Sequence, residues 1–285
     1  MLVDTIAEQL LFTTVRIETR SAAGTGTGTG FLFNYEHGGS QYPFVVTNKH
    51  VIRGVTGGIV QFHKGKDGKP MLGTAHRIEI DDFEDAWTGH TDPDIDVAVM
   101  PLAPLLESMQ ASGVTPFYRN ISRDLTASSQ LIGELDALEE VVFIGYPNGI
   151  WDSKHFLPVV RKGTTATPIG VDFQGKEQFL VDASVFPGSS GSPVFLFNKG
   201  MFTDRQGNAT IGTRLAFLGV IAAVFFREDL NQIALVPETA ATKPVALARE
   251  MIDLGIVFKA HTVVESIETL LRKRGVSLDD LAPPA

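Results

Sequence analysis

The chain contains no cysteine among its 285 residues. Disulfide bonds, thiolate catalysis and cysteine-based zinc sites are therefore excluded. Because secreted proteins often depend on disulfides, their absence favours a reducing compartment. The seven histidines are scattered and none forms an H-x-x-x-H pair, so the sequence predicts no zinc site.

Positive charge and long apolar runs are also scarce. The formal net charge is −9, and nucleic acid is not expected as a partner because phosphate binding requires clustered Lys and Arg. The longest apolar run, 215–226, is too short to span a bilayer and predicts a buried strand. Asp4, Glu8 and Gln9 interrupt the apolar positions of the N-terminus, which is unlike a signal peptide. We therefore expect a cytoplasmic protein that does not contact a membrane.

The most informative segment that is present is PGSSGSP, residues 187–193, which is followed by apolar strand formers. Its composition predicts a tight turn that exposes one serine hydroxyl and directs backbone N–H groups toward one point. A nucleophile beside convergent N–H donors is the core of acyl-transfer catalysis. Such turns are common in β proteins, so this turn alone is only suggestive.

Two upstream segments carry the other groups that this chemistry requires. In FVVTNKHVI, residues 44–52, an apolar run ends just before a histidine, and in DPDIDVAVMP, residues 92–101, aspartates precede another apolar run. Histidine can accept a serine proton near neutral pH, and a buried carboxylate can hold the imidazole in one tautomer. The order along the chain is His, Asp, Ser, and the fold must bring the three together.

Taken together, TNKHVI, DIDVAVM and GSSGSPVF resemble the motifs of chymotrypsin-fold, trypsin-like serine peptidases, and in particular those of the bacterial HtrA-type proteases. Four further segments resemble other strands of that fold: GTGTGFLF (26–33), FIGYPNG (143–149), LGVIAA (218–223) and ALVP (234–237). HtrA-type members usually carry a C-terminal PDZ domain, and the segment after Pro237 is too short for one. The resemblance therefore implies a protease domain without a PDZ domain.

The resemblance assigns a role to each candidate residue. It implies that His50 is the general base, that Asp96 orients it and that Ser190 is the nucleophile. The backbone N–H groups of Gly188 and Ser190 would form the oxyanion hole. No metal or cofactor is implied.

Neighbouring residues compete for two of these roles. Asp92 and Asp94 are alternatives to the preferred aspartate, which directly precedes the Val-Ala-Val run. Ser189 and Ser192 are alternatives to the preferred serine, which is followed by Gly191. Ser192 stands where glycine is usual, and Ser189 stands where digestive members have an aspartate that pairs with a new N-terminus. Activation by N-terminal insertion is therefore not expected.

The resemblance also locates the primary specificity pocket. Ser184 would lie at its base, and Ala222, Ala223 and Val224 would line its wall. None of these residues is charged. We therefore predict a preference for small or medium apolar residues before the scissile bond, and not for Lys or Arg.

The predicted fold class is all-β, with two six-stranded antiparallel Greek-key β-barrels of the chymotrypsin type and helices at both ends. Helical spacing predicts helices at 2–11, 244–252 and 263–271. The predicted boundaries are an N-terminal helix and first barrel (1–112), a linker (113–135), a second barrel (136–243) and a C-terminal helical extension (244–285).

The expected function is that of a serine endopeptidase that cleaves peptide or protein substrates through an acyl-enzyme. The alternative is a catalytically silent peptidase fold that binds an extended peptide in its cleft by strand addition. The C-terminal helices are a second possible contact for a partner or a second copy. Packing of their amphipathic stripes on the second barrel is the favoured interpretation, because such stripes usually face a core.

Overall fold

Strands are the predominant secondary structure among the described residues. The computed structural model describes residues 1–147, 150–232 and 245–278, and at 223–232 and 245–252 it describes the strands without their side chains. The strands are β1 (Thr14–Ser21), β2 (Gly24–His37), β3 (Ser40–Thr47), β4 (Val55–Lys66), β5 (Lys69–Asp81), β6 (Thr88–Gly89), β7 (Ala98–Pro101), β8 (Pro116–Phe117), β9 (Ile121–Ser122), β10 (Glu140–Gly145), β11 (Val159–Thr165), β12 (Gln178–Asp182), β13 (Pro193–Thr203), β14 (Ala209–Gln232) and β15 (Val245–Lys259). The α-helices are α1 (Ile6–Leu10), α2 (Lys49–Ile52), α3 (Ala103–Ala111), α4 (Ser129–Glu134) and α5 (Ala260–Lys273).

The first sheet contains nine strands, of which β6, β8 and β9 have two residues each. The six longer strands follow the order β5-β4-β1-β2-β3-β7, and all of their pairings are antiparallel. The sequence places turn-rich segments at 36–40 and 64–70, each between two apolar runs, and so predicts a turn between strands at both. The hairpins β2–β3 and β4–β5 confirm these turns. β8 and β9 pair with β4 and β2, so the predicted linker begins as part of this sheet.

The second sheet is a closed barrel of six strands in the order β10-β11-β12-β15-β14-β13. The closing strand β15 pairs with β14 along its whole length and with β12 over its last part. The predicted helix at 244–252 is therefore wrong, because sheet pairing overrides the helical propensity of this segment. The barrel consequently extends to Lys259, past the predicted boundary at 243. The predicted strand at 234–237 lies outside the described residues.

The helix α5 confirms the last predicted helix and closes the interface between the two barrels. Its apolar stripe is buried in a cluster that includes residues of both barrels, and the stripe residues are Val263, Ile267, Leu270 and Leu271. Gly275, at φ +81°, follows the end of the helix in a conformation that favours glycine. Since the stripe is buried within the chain, it is not an exposed face for a partner. In the described part of the chain, no helix has the length and apolar character needed to cross a membrane.

His63, on β4, makes the stability of the first barrel sensitive to acid. Its ring is 7% exposed and packs edge-on against Phe12, and burial lowers the pKa of this histidine from 6.5 to about 4. Between these values the unfolded chain binds a proton that the folded chain excludes. We expect the free energy of unfolding to fall by as much as about 3 kcal/mol as the pH drops from 7 to 4. Urea titrations across this range should show a smaller fall in His63→Phe, and equal pH slopes in the two proteins would contradict the assignment.

Candidate active site

His50 and Asp96 are in direct contact. His50 lies on the short helix α2, which follows β3 at once, and Asp96 lies two residues before β7. The ring Nδ1 of His50 is 2.5 Å from Asp96 Oδ2, and the backbone N–H of His50 donates to Asp96 Oδ1 at 3.0 Å. The carboxylate therefore accepts the Nδ1 proton and leaves Nε2 as the basic nitrogen of the ring.

Residues that the sequence analysis did not single out hold this pair in place. The side chain of Asn48 is buried, and its Nδ2 donates to the backbone carbonyl of Asp96 at 2.6 Å. Lys49 Nζ donates to the carbonyl of Asp92 at 2.6 Å, and burial lowers the pKa of Lys49. The only sequence signal for these roles is the position of both residues directly before the histidine.

The turn at 187–192 is hydrogen-bonded to the first sheet through Thr29. The backbone N–H of Thr29 donates to the carbonyl of Ser190 at 3.0 Å, and its Oγ1 donates to the carbonyl of Gly188 at 3.0 Å. Thr47, at the end of β3, donates through Oγ1 to the carbonyl of Thr29 at 2.7 Å. These hydrogen bonds connect the strand that leads to His50 with the turn that carries the candidate nucleophile.

The backbone N–H groups of this turn fall into two sets. Those of Ser189, Gly191 and Ser192 donate to the carbonyls of Phe186, Ile221 and Ser189, respectively. Those of Gly188 and Ser190 have no acceptor among the described residues. Gly188 adopts φ +87°, a backbone conformation that favours glycine. The two N–H groups predicted to form the oxyanion hole are thus the two that remain free to bind an anionic oxygen.

The three serines of the turn differ in accessibility. Ser189 and Ser192 are each 1% exposed, and their hydroxyls are buried without a hydrogen-bond partner. Ser190 is half-buried, and its Oγ donates to the backbone carbonyl of Ala222 at 3.1 Å. Among the described residues, no hydrogen bond joins this hydroxyl to His50. Of the three serines, Ser190 is the one that is not buried.

The three aspartates before β7 also differ in their exposure and in their contacts. Asp92 and Asp94 are exposed, and Asp94 forms an ion pair with Lys176 at 3.4 Å. Asp92 Oδ1 accepts the backbone N–H of Asp94 at 2.8 Å. Asp96 is the one of the three whose carboxylate contacts the ring of His50.

The sequence model of the trypsin-like peptidase domain matches residues 28–202, which is more than half of the chain and includes all three candidate residues. The chain belongs to this family. It is a trypsin-like serine peptidase, and peptides or proteins are the substrate class of the family. No curated protein sequence matches the chain.

Solved structures of proteases resemble the fold of this peptidase. The HtrA-type protease AlgW, solved with a tripeptide, aligns with a TM-score of 0.50 at 14% identity, over 94% of this chain and 63% of AlgW. The serine endoprotease from Yersinia pestis aligns at 17% identity with a TM-score of 0.47, over 96% and 69% of the two chains. The active form of the Rv3671c protease from M. tuberculosis aligns at 16% identity with a TM-score of 0.44, over 98% and 86%. At 14–17% sequence identity, these similarities are similarities of the fold alone.

The predicted specificity pocket of the peptidase is described in part. Ser184 is half-buried in the loop between β12 and β13, and Ala222 is 3% exposed on β14. Ala223 and Val224 continue β14, but their side chains lie outside the described residues. Neither described pocket residue carries a charge.

Proposed function

We propose that the peptidase is an endopeptidase that acts through an acyl-enzyme on Ser190. The proposal rests on the combination of two features. His50 contacts Asp96, and among the described residues of the turn only the N–H groups of Gly188 and Ser190 have no acceptor. Acyl transfer requires a base and convergent donors around one hydroxyl. Here His50 is the candidate base, and the N–H groups of Gly188 and Ser190 are the candidate donors.

The proposed reaction begins when the hydroxyl of Ser190 leaves the carbonyl of Ala222. Rotation about the Cα–Cβ bond is an inexpensive change for a half-buried serine, since it exchanges one staggered rotamer for another. Oγ then attacks the scissile carbonyl carbon while His50 Nε2 accepts its proton. The free N–H groups of Gly188 and Ser190 stabilise the oxyanion of the tetrahedral intermediate.

Two further proton transfers complete the cycle. His50 returns the proton to the leaving amine, which departs, and the acyl group stays on Oγ as an ester. A water molecule then attacks this ester, again with the imidazole as base, and the acid product leaves as the serine is regenerated. Asp96 stays ionised throughout and stabilises the imidazolium.

The proposed specificity follows from the uncharged pocket. Ser184 at its base has no charge to pair with Lys or Arg, so small or medium apolar side chains are the preferred residues before the cleaved bond. Incubation with a peptide library, followed by mass spectrometry of the products, tests this preference. A profile dominated by cleavage after Arg would contradict it.

Covalent labelling by a fluorophosphonate probe tests the proposed nucleophile. We expect labelling of the wild type, and loss of labelling in Ser190→Ala and His50→Ala. Ser189→Ala is the matched control, because it removes a buried hydroxyl from the same turn. Its labelling should equal that of the wild type.

An unlabelled wild type would instead favour the alternative, a catalytically silent peptidase fold that binds an extended peptide. The hydrogen bond from Ser190 to Ala222 is the observation on which this alternative rests, since it holds the hydroxyl away from His50. The cytoplasmic location stays a prediction from the sequence.

A further inference from the structure

A group of three metal-ligating side chains lies outside the candidate active site. Glu177 precedes β12, and His261 and Glu265 lie on α5. One potential ligand atom from each residue lies within 4.8 Å of the other two. The group therefore connects the C-terminal helix to the loop that enters β12.

The two helical ligands have a spacing that suits a metal. Residues four apart in an α-helix lie on the same face one turn apart, so His261 and Glu265 can bind one ion together. The chain has no H-x-x-x-H pair, but this helix carries the pattern H-x-x-x-E at 261–265. The third ligand comes from a distant segment that only the fold brings near.

The distances approach those of a coordination shell. Tetrahedral zinc with bonds of about 2.0–2.1 Å holds adjacent ligand atoms about 3.3 Å apart. His261 Nε2 and Glu177 Oε1 are already 3.2 Å apart. The side chains of Glu177, His261 and Glu265 are 40–46% exposed, so a small rotation of Glu265 can close the remaining gap.

His90 supplies a supporting contact to the third ligand. Its Nδ1 accepts the backbone N–H of Asp92 at 3.0 Å, so the ring proton is on Nε2, which donates to Glu265 Oε2 at 3.2 Å. The carboxylate of Glu265 is thereby oriented by a hydrogen bond. Hydrogen bonds of this kind orient ligands in natural metal sites.

The local charge also favours a dication. The two carboxylates bring two negative charges, and the lysines of the same segments are engaged with other acids. Lys176 pairs with Asp94 at 3.4 Å, and Lys259 Nζ pairs with Asp172 at 2.6 Å. A divalent ion would balance Glu177 and Glu265.

We infer that Glu177, His261 and Glu265 form a binding site for a first-row divalent transition metal such as Zn²⁺. An imidazole nitrogen with two carboxylates suits such an ion better than Mg²⁺ or Ca²⁺, which prefer oxygen ligands alone. Three protein ligands leave at least one position for water. The metal would tie α5 to the second barrel and, through His90, to the segment that carries Asp96. This inference does not depend on the proposed peptidase mechanism.

Titration of the metal-free full-length protein, without a histidine tag, with ZnCl₂ in a calorimeter tests the site. We expect one zinc ion per chain and a rise in the thermal unfolding midpoint. His261→Ala should weaken zinc binding by more than about 100-fold, and His90→Gln by about 10-fold or more because it removes a supporting contact. Cobalt binding gives a second readout, since visible absorption bands report its coordination.

His155→Ala is the matched control. Its ring contacts Asp152 at 2.7 Å in an exposed pair that is not part of the group, so zinc affinity should not change. Glu265→Gln keeps the size of the side chain, and it replaces His261→Ala as the variant of the site if His261→Ala does not fold. The inference is overturned if the wild type shows no saturable binding below about 1 mM zinc. It is also overturned if the variants of the group bind zinc as the wild type does.

Discussion

Replacing Asp96 by asparagine is expected to lower kcat by about 10⁴-fold while the fold is retained. The reason lies in the two contacts of this carboxylate. The backbone N–H of His50 donates to Oδ1, so the oxygen of an asparagine would be held there. The amide nitrogen would then face His50 Nδ1 and donate to it. Nε2 would carry the ring proton and could not accept one from Ser190.

The matched control for this change is Asp94→Asn. Asp94 is 66% exposed at its side chain, and its ion pair with Lys176 is exposed as well. Such pairs contribute little, so kcat should change by less than about threefold. Steady-state kinetics on a peptide taken from the library profile measure both variants. A large loss of kcat in Asp94→Asn, with kcat retained in Asp96→Asn, would show that Asp94 rather than Asp96 orients His50.

Replacing Gly191 by alanine is expected to destabilise the protein by about 3–5 kcal/mol, a large part of the stability of a typical domain. Gly191 has φ +86°, and an added Cβ would lie 1.9 Å from the backbone carbonyl oxygen of Thr29. That oxygen already accepts the hydroxyl of Thr47 at 2.7 Å. The clash therefore falls where the turn lies against the backbone of Thr29 in the first sheet, and both the midpoint of urea unfolding and the activity should fall.

Gly207→Ala separates backbone strain from this clash. Gly207 has φ +84°, nearly the same conformation, but no atom lies within 4 Å of an added Cβ. Its substitution should cost only the strain of the backbone, about 1–2 kcal/mol. If the two variants lose equal stability in urea, the close approach of Gly191 to Thr29 has no energetic role.

The local pattern of the sequence was sufficient for most of the first sheet. The hairpins β2–β3 and β4–β5 are predictable because a Gly-rich turn between two apolar runs is a local signal. The helix α5 was predicted for the same reason, since its apolar stripe recurs at helical spacing. The strand β15 was missed because its residues favour a helix in isolation, and only pairing with β12 and β14 makes them extended.

For the candidate site too, the sequence predicts one part and the tertiary structure decides the rest. The order of His50, Asp96 and Ser190, and the glycines around the serine, are enough to predict the proposed acyl-transfer chemistry, because these residue types and motifs are present in the sequence. Only the tertiary structure decides which aspartate contacts the histidine, which serines of the turn are buried and which N–H groups of the turn have no acceptor among the described residues. Those properties depend on hydrogen bonds between segments far apart in the chain, such as those from Thr29 to the turn, and no local pattern encodes them.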